Sequence, residues 1–381
     1  MVNHKDRDHA LLSASSSSRW LACPPSAVAN EAYPNQDTSF TQEGTTAHEV
    51  AEIIARARLG GIYKPTDLLF PNGFTREMID CAHEYADYIE EQKKSNDATV
   101  LLEQRVDFSE WVPDGFGTCD CLIIQDDTLI AIDYKYGQGV PVSAVNNSQL
   151  RLYCLGALND YGFVLGVTKV EMHIFQPRLN NTSMDSMAVE DLMEWAEKTV
   201  KPTAEKAIKG KGKYNPGEHC RFCQHAGRCR ALTRACTEYL DTHGMRVGLP
   251  VLAPYEVADV LRMEPLISLW LKKVKEQALT TLMNGDELPG YKLVEGKLGN
   301  RKWKDEKTVF DSLLQAGYSE EEITETKVLS PSQMDKAIGK KKVAELLEEH
   351  IERAPGAPTI APETDKRPAY NRLAEAQNDF K

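Results

Sequence analysis

The chain of 381 residues has no apolar run long enough to cross a bilayer. Its start, MVNHKDRDHALLSASSSSRW, has no apolar stretch of the signal-peptide type, so a cytoplasmic protein is expected. No G-x-x-x-x-G-K-[ST] phosphate loop occurs, so no helicase motor of that kind is fused here. No internal repeat is present. Positive charge is in deficit, with 45 Lys and Arg against 57 Asp and Glu and a formal net charge of −12. A nucleic-acid partner would therefore need a local basic patch. One stretch offers it: Lys201, Lys206, Lys209, Lys211, Lys213, Arg221, Arg228, Arg230 and Arg234 lie close in sequence. On charge alone it reads equally as a solvated helix and loop.

What is present is ordinary for a globular protein, 41% hydrophobic and 27% charged. The length suggests roughly two or three domains. Nine cysteines in a cytoplasmic chain point to metal binding or buried thiols rather than a disulfide scaffold.

Pattern and capping signals predict helices around a loop over 10–60, with a capping box at Thr46-Ala47-His48-Glu49 opening an amphipathic run to Leu59. A further helix is predicted from Met78 to Lys94, and strands over Val100–Phe108 and in the stretch GFGTCDCLIIQDDTLIAIDYKYG, Gly115–Gly137. Ser148 can cap a helix running to about Asp160, Thr168–Gln176 reads as a strand, and Asp185–Lys209 as mostly helix. From Gly248 the composition shifts. Leu249–Pro254 reads as a linker before a charged helical region, with a strand pair near Tyr291–Trp303 and a Pro-rich, charged tail from Pro355.

The Gly115–Gly137 stretch carries charges where a sheet interior is expected: Asp120, Asp133 and Lys135. A hairpin turning at Gln125–Thr128 puts Asp120 across from Asp133, and paired Cβ atoms in that position lie about 4.5–5.5 Å apart. The face then reads Asp120, Leu122, Ile124, Leu129, Ala131, Asp133, Lys135. Two carboxylates so close repel unless one is protonated or a cation lies between them. Hard oxygen ligands suit Mg²⁺ or Mn²⁺. A lysine beside a metal-held water can stabilise charge developing on a phosphate. A buried Asp–Lys ion pair that only supports the fold accounts for the same residues equally well. His48, read in the first turn of its helix, would be kept neutral by the positive end of the dipole, the form that binds metal. Glu52 shares its face. Gln149 and Tyr153 share another at i, i+4.

In order, Gly44-Thr45-Thr46-Ala47-His48, Gly117-Thr118-Cys119-Asp120, Asp133-Tyr134-Lys135 and Gln149-Leu150-Arg151-Leu152-Tyr153 resemble the RecB branch of the PD-(D/E)XK nuclease superfamily. The resemblance covers roughly residues 10–235. It implies a metal held by His48, Asp120, Asp133 and the Tyr134 carbonyl. It also implies a water assisted by Lys135, and Gln149 and Tyr153 near the scissile phosphate. Glu103 is a possible acidic accessory that matches no motif.

Cys220, Cys223 and Cys229 give C-x₂-C-x₅-C, with no fourth cysteine in the usual short knuckle. Cys23 is the candidate, with Cys236 as runner-up. A remote N-terminal cysteine with a C-terminal triplet resembles the iron–sulfur nucleases, the AddB-type subunits and CRISPR-associated exonucleases. That resemblance implies a 4Fe–4S cluster held by four thiolates. Zinc is the alternative, and reduced free thiols the blandest reading. Cys81, Cys119, Cys121 and Cys154 read as small buried residues.

The whole chain also resembles a bacteriophage family that joins this core to an extra C-terminal region. The expectation is an α/β protein with a restriction-endonuclease-like mixed sheet flanked by helices. Its divisions would be a nuclease domain with a cysteine-ligated cluster over 1–245, a mostly helical accessory domain over 246–354 and an extended tail over 355–381. The expected function is a Mg²⁺- or Mn²⁺-dependent DNA exonuclease in phage replication or recombination, in the cytoplasm of the bacterial host and with no membrane partner. The C-terminal region would engage other replication or recombination proteins. A non-catalytic DNA-binding or scaffold protein of the same fold, and a zinc-stapled interaction protein, are the competing readings.

Overall fold

In the computed structural model of the chain, the residues described are 10–33, 39–61, 68–95, 97–162, 166–243 and 254–292, with 334, 343, 346, 350 and 351 as isolated positions. The chain is α/β: a five-stranded mixed sheet in sequence order, flanked by helices. The strands are β1 (Thr99–Asp107), β2 (Phe116–Gln125), β3 (Thr128–Tyr134), β4 (Lys169–Gln176) and β5 (Asn181–Ala188). Only β3 and β4 pair in parallel. Their connection carries a helix, α5 (Ser148–Ala157), as parallel neighbours require.

The sheet is buried on both faces, and its strand sequences say so. Leu122, Ile124, Leu129 and Ala131 pack with Leu150, Tyr153 and Cys154 of α5. The intervening Cys121, Ile123, Ile130, Ile132 and Tyr134 pack against two other helices, α3 (Ser39–Leu59) and α4 (Arg76–Gln92). The β2–β3 turn has two residues, Asp126 and Asp127, with Asp126 at φ 49°. Aspartate is among the few side chains that visit that region. Asp127 then ties the hairpin to β4, since its backbone carbonyl accepts from Thr168 N at 2.8 Å and its side chain from Thr168 Oγ1 at 2.8 Å.

Three expected elements shift. Helix α3 begins at Ser39 rather than Thr46, and its earlier turns are tied down by an ion pair of Glu43 with Arg178 at 3.1 Å. The cap of α5 is Asn147, whose Oδ1 accepts from Gln149 N and Leu150 N, and not Ser148. Residues 181–188, partly assigned to a helix, form β5 against β4. This edge strand has alternating exposure but mostly polar residues, so hydrophobic periodicity did not reveal it. Helix follows as α6 (Val189–Trp195) and, after a turn of wider helix at Ala196–Val200, α7 (Lys201–Ala207).

The chain divides into two compact units, Met1–Gly296 and Lys297–Lys381. The boundary expected at 245/246 therefore falls inside the first unit. The reason is packing: α9 (Pro254–Met283) lays Leu266, Ile267, Leu269 and Trp270 on the cysteine-rich segment and on α8 (Arg230–His243). The approach is so close at Gly227 that a Cβ there would lie 2.4 Å from the Lys273 carbonyl oxygen. The expected tail over 355–381 and the segment 293–303 of the expected strand pair lie outside the described residues.

Gly227→Ala should force α9 off the cysteine segment and lower stability by about 1–3 kcal/mol. The urea midpoint measures this, and an unchanged midpoint would refute the close packing of the helix there.

Candidate active site and cysteine centre

The predicted hairpin register is present. Its pairs run from Gln125–Thr128 to Cys121–Ile132, and the next position in that register sets Asp120 opposite Asp133. The simple alternation of faces is not kept. Cys119 and Leu122 both pack on the α5 side of the sheet, with Cys121 on the other. Strand β1 reverses at the same level: Leu102 packs toward α3 and α4, Val106 toward α5, and between them Glu103 has φ 49°. Such backbone in a non-glycine residue is strained and collects at functional sites. Arg56 of α3 holds the adjacent Leu102 carbonyl at 2.9 Å and Glu52 at 2.7 Å. The reversal turns Asp120 toward α3, where its Oδ1 lies 3.3 Å from His48 Nδ1.

His48, Glu103 and Asp120 form a set whose ligand atoms all lie within 4.8 Å of one another, each residue partly exposed. Asp133 stands on the α5 side. Its Oδ1 accepts from Gln149 Nε2 at 3.0 Å, and the same amide donates to the Tyr153 hydroxyl at 3.0 Å. Lys135 Nζ is 2.9 Å from Asp133 Oδ2. This ion pair is the contact made by the buried Oδ2. Tyr134 contributes its amide, which donates to Asp120 Oδ2 at 2.7 Å, and its ring, set edge-on to His48. Gly117 is small because Tyr153 lies over it, with a Cβ there only 2.7 Å from Cε1 of the ring.

The electrostatics follow from this layout. Burial pushes Asp133 up, offset in part by Lys135. Asp120 is buried as well, but the charge and hydrogen bond of His48, with Lys135 and the Tyr134 amide, hold it below the usual carboxylate range. Burial raises Glu103 to about 7, with the Asp120 charge adding to the effect. Burial alone would lower His48, yet the charge and hydrogen bond of Asp120, aided by Asp133, override it and raise the imidazole to about 9. The expected neutral His48 is thus corrected. Because α3 begins well before Thr46, His48 is not in its first turn, and the nearby carboxylates set its charge.

The second centre joins distant segments. Cys23 follows α1 (Ser17–Ala22) and lines one cavity with Cys220, Cys223 and Cys229, together with Tyr214, His219 and His225. All four cysteines are buried. Helix α2 (Ser26–Glu31) sends Asn30 Nδ2 to Cys223 Sγ at 3.3 Å, and Gly217 N donates to Cys220 Sγ at 3.5 Å. Burial raises the thiols of Cys23 and Cys220, the latter to about 11. Arg19 lies close enough to feel Cys223 and Cys23. Cys236 is not in this cavity: it packs beneath α9, its thiol 3.9 Å from the Leu266 carbonyl. Cys81, Cys119, Cys121 and Cys154 are buried, as expected.

A family model described as "Protein of unknown function (DUF2800)" matches residues 9–368. The chain belongs to that family. Among solved structures, the DUF2800 chain is similar to one titled "Crystal structure of SSO0001", at 14% identity and a TM-score of 0.23 over 54% of this chain and 95% of that one. At that score the likeness bears on neither fold nor function. Among the described residues of the DUF2800 chain, no helix is long and apolar enough to cross a membrane.

Of the residues singled out from sequence, His48, Asp120, Asp133, Lys135, Gln149 and Tyr153 meet at one end of the sheet. Glu52 pairs with Arg56, which also holds the Leu102 carbonyl next to Glu103. Glu103 was the residue underweighted. No motif contains it, and its signal was only an acid in a strand otherwise suited to burial.

The donor set fits a divalent cation: one imidazole nitrogen and the carboxylates of Glu103 and Asp120, with Asp133 beside them. Binding one would require His48 to release its proton. Without metal, the stability that His48 contributes is fully present below about pH 6.5 and is lost as pH rises through about 9. Mn²⁺ affinity should run the opposite way, strengthening by up to about tenfold per unit from pH 6 to pH 8.5. Calorimetric titration reads this, and His48→Gln should flatten the profile. Equal affinity at both ends in the unsubstituted protein would remove His48 from the ligand set.

Proposed function

We propose that this DUF2800 protein is a divalent-metal-dependent DNA nuclease, acting as an exonuclease in phage replication or recombination in the cytoplasm of the bacterial host. The observation that carries the reading is the meeting of four separated sequence elements at one end of the sheet. His48 comes from α3, Asp120 from β2, Asp133 and Lys135 from the end of β3, and Gln149 and Tyr153 from α5. A fold-supporting ion pair needs only Asp133 and Lys135. It gives no reason for Glu103 to adopt strained backbone beside His48 and Asp120.

His48, Glu103, Asp120 and Asp133 would hold the cation. When bound, it would polarise the scissile phosphate and lower the pKa of water. In the hydrolysis, the water oxygen forms a bond to phosphorus as the bond to the leaving sugar oxygen breaks. The water gives up a proton and the leaving oxygen gains one. Lys135, fixed by Asp133, presents an ammonium that can orient the water and stabilise charge on the phosphate. Gln149 holds Asp133 in place through its amide and joins it to Tyr153.

For the cysteine centre we favour a 4Fe–4S cluster over zinc. Cys23, Cys220, Cys223 and Cys229 face one common cavity, the arrangement that a cluster held by four thiolates needs.

Cleavage of linear DNA in Mg²⁺ or Mn²⁺ should fall by at least about a hundredfold in Asp133→Asn and in Lys135→Ala, with the fold intact by circular dichroism. Wild-type rates in Lys135→Ala would defeat the mechanism. Folded protein with no metal-dependent cleavage on any DNA would favour the scaffold reading. In anaerobically purified protein, Cys23→Ser should lose most of its iron and its visible absorption while Cys236→Ser keeps both. Stoichiometric zinc in the unsubstituted protein would overturn the iron–sulfur assignment.

A further inference from the structure

We propose that the outer face of the cysteine segment binds single-stranded DNA, with Phe222 as a base-stacking platform; the proposal rests on the nuclease reading for DNA as the substrate. Phe222 stands between Cys220 and Cys223 and is 70% exposed, although both cysteines are buried. It ends a short helical turn, Glu218–Phe222, so its backbone is fixed while its ring faces solvent. It has no ring partner among the described residues. Tyr214, from the preceding loop, is also exposed. A single exposed aromatic needs no explanation, but this one lies in an unusual electrostatic setting.

Between Lys206 and Arg234, eight Lys and Arg stand against one acid, Glu218, in a chain of net charge −12. Arg234 is paired with Glu238, and Arg228 bonds Thr281. The other six, Lys206, Lys209, Lys211, Lys213, Arg221 and Arg230, are exposed and meet no carboxylate within 4.0 Å among the described residues. Elsewhere on this surface cations are commonly matched, as at Arg56–Glu52, Arg76–Asp80, Lys198–Glu194 and Lys201–Glu197. Exposed cations on the same segment as an exposed ring are the combination that holds a nucleic-acid strand: phosphates on the charges and a base on the ring. The ring selects the single strand, because a duplex hides its base faces in the stack.

The position agrees. Helix α1 begins with Ser17, whose Oγ is 2.7 Å from Ser148 Oγ at the start of α5, beside Gln149. Cys23 follows its last residue, Ala22, about 9 Å from Ser17 at the usual rise per residue. A strand lying on the cysteine segment is therefore one short helix from the end of α5 that carries Gln149 and Tyr153.

Binding of a fluorescein-labelled oligothymidylate to the full chain in EDTA, read by anisotropy, tests this without cleavage. Phe222→Ala should weaken binding by about five- to tenfold, and Phe222→Trp should restore it. Lys211→Glu with Lys213→Glu should weaken binding and reduce the slope of log affinity against log salt by about 1.4, the value for two phosphate contacts on a single strand. The exposed ring leaves folding unchanged, which the melting curve verifies. Phe222→Ala binding within twofold of the unsubstituted protein overturns the platform, as does tighter binding of a blunt duplex that ignores Phe222. Failure of the nuclease reading would appear separately, as absence of metal-dependent cleavage with these binding effects intact.

Discussion

Two carboxylates and an ammonium at the end of a sheet, between two layers of helix, cannot be left to water, and the architecture around them answers that constraint. Asp133 is almost fully buried, and Asp120 nearly so. Each is matched from a different layer: Asp120 by His48 of α3 and the Tyr134 amide, Asp133 by Lys135 and by Gln149 of α5. The reversal of facing in β1 and β2 is what allows the two carboxylates to be served from opposite sides. Without it, both would compete for the same neighbours with like charges a strand apart.

The helices that serve the site are in turn held by contacts that do not touch it. Arg178 ties Glu43 of α3 to Glu77 of α4 and lies over the ring of Tyr136. Asn147 caps α5, which leaves Ser148 free to bond Ser17. Through α1 that bond connects the sheet end to the cysteine centre, where chain segments far apart in sequence close around one cavity. Helix α9 then packs one side of that centre, which is why the compact unit extends to Gly296 and does not stop at the apparent linker.

Local chemistry carried much of this information. The β2–β3 register could be read because a two-residue turn and a side-chain period of two leave little freedom, and the pairs from Gln125–Thr128 onward follow it. Cys23 was joined to the Cys220 triplet through the resemblance to the iron–sulfur nucleases, because the C-x₂-C-x₅-C spacing has no fourth thiol in a short knuckle. The start of α3 was misplaced because Thr46-Ala47-His48-Glu49 has the residue types of a cap, while an ion pair from Glu43 to a residue far along the chain adds further turns. Strand β5 was hidden because an edge strand needs only backbone partners and can carry polar side chains.

The sequence by itself therefore determined the strands of the buried hairpin, their register, and which charged residues and thiols had to find partners. Only the tertiary structure decided what those partners were. Glu103 joined His48 and Asp120 because strained backbone in β1 turned it to them, His48 took a raised rather than a lowered affinity for its proton, and Cys23, not Cys236, entered the cavity. The reason is range. Periodicity and capping act within a few residues, whereas the charge on a buried group and the composition of a ligand set depend on which distant segments packing brings within a few ångströms.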